Sequence, residues 1–212
     1  MSDDRTDQPA QPQPGQPADQ ELHEERERER GELSVLAADT AANARAFLES
    51  TTTVASGTSP DVALPVILLA VSQVLLAGAR LGAIADVVPS ERFEPDSGPE
   101  PDVDPLRAAL ENVLEGIDDY GEVFDPIVPG GPVAATISGD LATVAADLSH
   151  GLRHFEAGRV DEALWWWQFS YLSSWGARAA SALRVVQSIL SHLRLDADEE
   201  TVADAEFDAL HP

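Results

Sequence analysis

The residues best suited to chemistry lie in one short stretch, SGDLATVAADLSHGLRHF. Asp140, Asp147, His150 and His154 follow one another at intervals of seven, three and four residues, which sets them along one broad face of a helix. Carboxylate and imidazole at Asp-x-x-His-x-x-x-His spacing form a ligand set for a divalent transition metal. Upstream, Asp118, Asp119, Glu122 and Asp125 offer the oxygens that Mg²⁺ or Ca²⁺ takes. The patterns that would make either set specific are missing. No other helix brings the paired Glu-x-x-His of a carboxylate-bridged di-metal bundle, and His-Glu-x-x-His is absent. So are the EF-hand spacing and its glycine. A solvated polar face, or Asp147 pairing with Arg178 or Arg184, is the simpler expectation. A metal-dependent enzyme acting on a small phosphorylated or nucleotide substrate is kept as the alternative.

A second constellation lies some ten residues on, in EALWWWQFSYLSSWGARAASALRVVQSIL, which holds all four tryptophans of the chain. Consecutive residues on a helix point about 100° apart, so one buried stripe cannot take Trp165, Trp166 and Trp167 together. Leu164, Gln168, Leu172, Trp175, Ala179, Ala182, Val186, Ile189 and Leu193 trace the core face at helical spacing. The small residues from Gly176 to Ala182 allow a neighbouring helix to approach closely. The opposite side presents Trp167, Tyr171 and Arg178, the set expected to meet a ligand or a partner. Nucleophile elbow, phosphate-binding loop and glycine-rich dinucleotide turn are all lacking. The expected role is therefore non-enzymatic, a protein-interaction or ligand-binding module.

The elements that must position these residues read as helices. The first packed helix is expected from about Glu32, with Leu33, Leu36, Thr40, Ala44, Phe47 and Leu48 on one face and a stop at Gly57. Ser59-Pro60-Asp61 opens a second, strongly apolar helix, with Pro65 placed to bend it. Its apolar run is broken by Ser72-Gln73 and Arg80, short for a membrane span. A buried core helix is expected, and no membrane. Asp104-Pro105 opens a short third helix ended by Gly116, and Ser138 caps a fourth that runs to about Ala157. Gly158 then makes the turn of a hairpin into the Trp-rich helix. Strand signals are nearly absent. The fold class is all-α, a single bundle of about five main helices over residues 32–195. A disordered Pro/Gln-rich arm with a charged Glu/Arg segment (1–31) precedes it, and an acidic tail (196–212), frayed or loosely docked through Phe207 and Leu210, follows.

The chain carries 38 acidic and 13 basic residues, a net charge of −25, with no lysine and no cysteine. Such a surface repels phosphate backbones and anionic lipid, which excludes nucleic acid as a partner. The lack of cysteine excludes disulfides, thiolate metal sites and thiol catalysis. The N-terminal residues have neither the basic nor the apolar region of a secretory signal, so the expected location is cytoplasmic. A protein partner or a second copy of the chain is the expected contact, and no cofactor is required, although a divalent metal is possible.

TSPDVALP, AGARLGAIADVVPSERFEPD, DDYGEVFDP and above all GLRHFEAGRVDEALWWWQFSYLSSWG resemble an uncharacterised helical family of high-GC bacteria, a domain of unknown function. The resemblance spans roughly residues 40–195. It implies a compact, cytoplasmic, all-helical domain and transfers no catalytic residue.

Overall fold

The computed structural model describes residues 17–84, 86–89, 98–123, 127 and 130–195. Two compact units are formed, Met1–Leu36 and Ala37–Pro212. In the first, the Glu/Arg segment is helical and solvent-exposed, with His23 Nε2 3.2 Å from Glu27 Oε1 one turn on. The helix, α1, spans Pro17–Ala55 and so begins well before the expected Glu32. Strong helix formers and i,i+4 pairs carry it through a stretch that has no apolar stripe. Burial begins only in the second unit, at Ala37, and continues through Ala41, Ala44 and Phe47. The expected disorder of the extreme N-terminus and the docking of Phe207 and Leu210 lie outside the described residues.

α1 ends at Gly57, whose φ of +68° only glycine adopts at no cost and whose N–H reaches back to the Val54 carbonyl at 3.0 Å. Pro60–Val62 form a single 3-10 turn, and α2 follows at Ala63–Ala83. Ser59 makes no side-chain capping bond. Pro65 falls in the first turn of α2, where a missing N–H costs nothing, so its expected bend has no cause. By length and composition Pro60–Ala83 could cross a membrane. One face, with Leu64, Ile67, Val71, Val74 and Leu81, is buried in the bundle, while Leu69 and Leu76 are 63% and 59% exposed, so the helix is packed on one side and not fully buried as expected.

α3 (Asp104–Val113) starts at Asp-Pro as the sequence predicts, and Gly116 follows it with φ +84°. α4 (Ile137–Glu156) and α5 (Val160–Ser170) form the expected hairpin. Gly158 N–H bonds to the Phe155 carbonyl at 3.0 Å and Arg159 N–H to the His154 carbonyl at 2.9 Å, the paired 5→2 and 6→1 closure of a helix end. α5 passes through a π-helical turn at Tyr171–Trp175 into α6 (Gly176–Leu195). Counting this interrupted rod once, five main helices make the domain, and the fold is all-α in all but one small feature.

That feature was not expected. β1 (Asp119–Glu122) and β2 (Val133–Thr136) pair antiparallel, with Asp119 opposite Thr136 and Glu122 opposite Val133. Four-residue strands are too short to show a period of two, and their Gly and Ala content hides them further.

The π turn also explains where the sequence misplaced the core face. Trp167, Trp175, Ala179, Ala182 and Val186 are fully buried, whereas Leu172, inside the π turn, is 66% exposed; Leu193, 69% exposed, lies apart from it in the last turn of α6. A regular α period carried through a wider turn misassigns the residues inside it. Close helix contact is local and steric: a Cβ at Gly78 would lie 2.4 Å from the Tyr171 ring, and one at Gly151 would lie 2.1 Å from Trp167 Nε1.

Candidate functional site

The site is built where the β-hairpin meets the start of α4 and the first turns of α6. Asp118, just before β1, is buried and accepts the Ser138 N–H at 2.8 Å and the Ser138 hydroxyl at 2.6 Å. Its carbonyl accepts the Ile137 N–H at 3.0 Å. Thr136, and not the expected Ser138, caps α4, its Oγ1 accepting the Gly139 N–H at 3.1 Å. The first three N–H groups of α4 are thus all satisfied within the protein.

This arrangement aims Asp140 inward. Asp140 is 1% exposed, accepts the Tyr120 hydroxyl on Oδ2 and accepts Arg178 Nη1 on Oδ1 at 3.1 Å. The same Arg178 nitrogen lies 3.9 Å from Oε2 of Glu122, whose Oε1 accepts the Ser181 hydroxyl at 2.7 Å. Glu122 is 4% exposed. Two buried carboxylates from different elements therefore share one guanidinium. Burial raises the Asp140 pKa above the ordinary carboxylate value, against the opposing pull of Tyr120 and Arg178. Burial, then the hydrogen bond to Asp140, raises that of Tyr120.

Arg178 stands at the wall of a pocket of about 370 Å³ lined by Arg107, Asp119, Ala134, Ala135, Thr136, Gly139, Asp140 and Thr143 as well. Among the described residues its Nε and Nη2 make no hydrogen bond, and Nη1 is the engaged nitrogen. Arg107, on α3, is held from behind by Asp104 through Nη2 at 2.9 Å. Asp119 is exposed at the rim.

The structure redistributes the residues that the sequence singled out. Asp140 and Arg178, expected in different constellations, are hydrogen-bonded to each other. The pairing of Asp147 with Arg178 or Arg184 does not form. Asp147 accepts the Ser174 hydroxyl at 2.8 Å instead, and burial raises its pKa, opposed by Ser174 and by His150. His150 lies over the Trp166 ring at 4.0 Å between centroids and meets Arg153 Nη2 through Nδ1 at 3.2 Å. His154 is fully buried. Among the described residues, no three His, Asp or Glu side chains are gathered to hold a metal ion. Asp125 of the upstream acidic set lies outside those residues.

Trp167 is a core residue and not a binding one: it is 0% exposed and donates Nε1 to the Leu148 carbonyl at 3.2 Å. The helix hairpin decides this, because α4 covers that side of α5. Trp165 and Trp166 are the half-buried indoles. Trp165 stacks on Phe169 at 5.7 Å, and Phe169 and Leu172 stand 52% and 66% exposed. Tyr171 lies over Gly78, Gly82 and Gly176 and against Trp175 at 4.8 Å. Sequence reasoning missed Tyr120, Ser181, Thr136 and Arg107 as site residues. Asp119 and Glu122 were noted only as metal oxygens.

An α-helical bundle with one inserted hairpin and a charged pocket at their junction is the class of protein that this geometry defines. The chain belongs to the family described as a domain of unknown function, DUF5063, whose model matches residues 32–192. Its fold is similar to that in the crystal structure of protein BF1032 from Bacteroides fragilis, with a TM-score of 0.54 and 18% sequence identity, covering 79% of this chain and 92% of that one. No curated protein matches the chain.

Proposed function

We propose that the domain, residues 32–195, is a non-enzymatic ligand-binding module of the cytoplasm that requires no cofactor. Its ligand enters the pocket between β2, α3, α4 and α6. The observation that carries this reading is Arg178, which lines the pocket while rooted on the buried Asp140 and Glu122. Two desolvated carboxylates are a costly way to hold one surface arginine. Their effect is to fix the guanidinium in one orientation with donors left over, which is preorganisation for a ligand. The volume lies in the range of small-molecule sites. Against catalysis, the hydroxyls of Ser138, Ser174 and Ser181 each donate to a carboxylate, and a carboxylate-bound serine has no imidazole to activate it.

The test is a thermal-shift screen of the full chain against a chemically diverse set of metabolites, with Arg107→Met as control. A ligand at 100-fold its dissociation constant adds about 2.7 kcal/mol. Compounds that stabilise the wild type and not the variant are expected; if every compound leaves the wild type unmoved or shifts both proteins equally, the pocket is not a binding site.

A second reading rests on the exposed Phe169 and Leu172, which suit an apolar contact with a second copy of the chain. At a net charge of −25 such a contact strengthens as salt screens repulsion. Sedimentation at about 0.05 and 0.5 M salt should show a dimer that grows with salt and is lost in Leu172→Asp; a monomer under both conditions removes the idea.

A further inference from the structure

Resting on the pocket reading above, we infer that the ligand is a small zwitterion of the α-amino-acid type, its carboxylate held by Arg178 and Arg107 and its ammonium group by Asp119. The two arginines supply the acceptor-binding side. Among the described residues, Arg178 engages only Nη1 and Arg107 only Nη2. Both arginines line the same cavity, and a guanidinium fork matches the two oxygens of a carboxylate.

Charge selects against a more highly charged anion. Asp119 shares the pocket, Asp140 and Glu122 lie behind Arg178, and the chain is strongly acidic. The device that commonly receives a phosphate, the free N–H groups at a helix start, is closed here. Ile137 N–H goes to the Asp118 carbonyl, Ser138 N–H to the Asp118 carboxylate, and Gly139 N–H to Thr136. A simple cation is opposed in turn by the two arginines.

Asp119 supplies the remaining half. It is exposed, lines the cavity and, among the described residues, makes no hydrogen bond or ion pair through its carboxylate, unlike Asp118, Glu122 and Asp140 around it. On β1 it stands opposite Thr136. An ammonium group beside it completes one positive and one negative partner for a ligand carrying one charge of each sign. Ala134 and Ala135 of β2 also line the cavity and bring it no large apolar surface, which favours a ligand with a small side chain.

The experiment is calorimetric titration of the full chain with glycine, L-alanine, L-serine and Gly-Gly. Acetate, methylamine and inorganic phosphate serve as matched single-charge or anion probes. Saturable binding of at least one zwitterion is expected, with acetate and methylamine at least tenfold weaker. Asp119→Asn should weaken the zwitterion at least tenfold and leave acetate no weaker, while Arg107→Met should weaken both. Both residues are exposed, so neither change threatens the fold. Phosphate or acetate binding as tightly as any zwitterion, and lost in Arg107→Met, overturns this inference and leaves the binding reading standing. Heat from no probe, together with a metabolite screen that stabilises wild type and Arg107→Met alike, overturns both.

Discussion

Replacing Arg178 by methionine tests whether the buried carboxylates are held in place by that one cation. The side chains of Asp140 and Glu122 are 1% and 5% exposed, and their distances to Arg178 Nη1 are 3.1 and 3.9 Å. Removing one partner of a buried pair costs about 3–5 kcal/mol. The Arg178 side chain is itself 37% exposed, and water entering the vacated volume reduces the loss to about 2–3 kcal/mol. For a domain of this size that corresponds to a fall of about 4–12 °C in Tm. The pH dependence carries the more specific signature. Asp140 already has a raised folded-state pKa, and Arg178 is one of the groups restraining it. A carboxyl whose folded pKa lies above its unfolded value makes the protein more stable as pH falls through the folded pKa towards the unfolded one. Without Arg178 the folded pKa rises further, so this window opens at higher pH. The gap between variant and wild type should therefore narrow from pH 7.5 to pH 5, as protonation removes the unpaired charge. Differential scanning fluorimetry across that range, supported by calorimetry at the two ends, reads both effects. A Tm within 1 °C of wild type at pH 7.5, or a loss that is the same at both pH values, would refute the reasoning.

Gly151→Ala places a Cβ 2.1 Å from Trp167 Nε1; the indole must move, and urea unfolding should show a loss of about 1–3 kcal/mol despite alanine's better helix propensity. Gly158→Ala forces a left-handed conformation (φ +77°) on a residue with a Cβ and should cost about 1–2 kcal/mol by the same assay. Asp147→Asn removes a carboxylate whose pKa burial has raised, yet keeps an acceptor for Ser174. The variant should melt higher than wild type at pH 7.5, and its advantage should shrink as pH falls through the raised folded-state value. Trp167→Ala should cost about 3–5 kcal/mol, and Trp165→Ala, half-buried, distinctly less; equal losses would mean that the burial difference between the two indoles is wrong.

Local rules alone located much of this molecule. The Asp104-Pro105 start, the stops at Gly57, Gly116 and Gly158, the apolar second helix and the Trp-rich hairpin partner all follow from propensities and periods that act within a few residues. The −25 charge and the absence of cysteine are properties of the sequence outright. The placement of the candidate site was a different matter. Asp140 and Arg178 were each legible as chemistry-bearing residues, but their partnership spans 38 positions and depends on α4 lying beside α6. Trp167 looked like a surface aromatic until α4 covered it, because helical periodicity says which residues share a face and not what packs against that face. The π turn moved Leu172 to solvent by breaking the period on which the reading relied. The β1–β2 hairpin contributes Asp119, Tyr120 and Glu122, yet each strand has only four residues and is stabilised by cross-strand and inter-element contacts. Short-range pattern thus determined the helices and their glycine stops, and tertiary packing decided which charges meet, because ion pairs and pockets arise between elements that are distant in the chain.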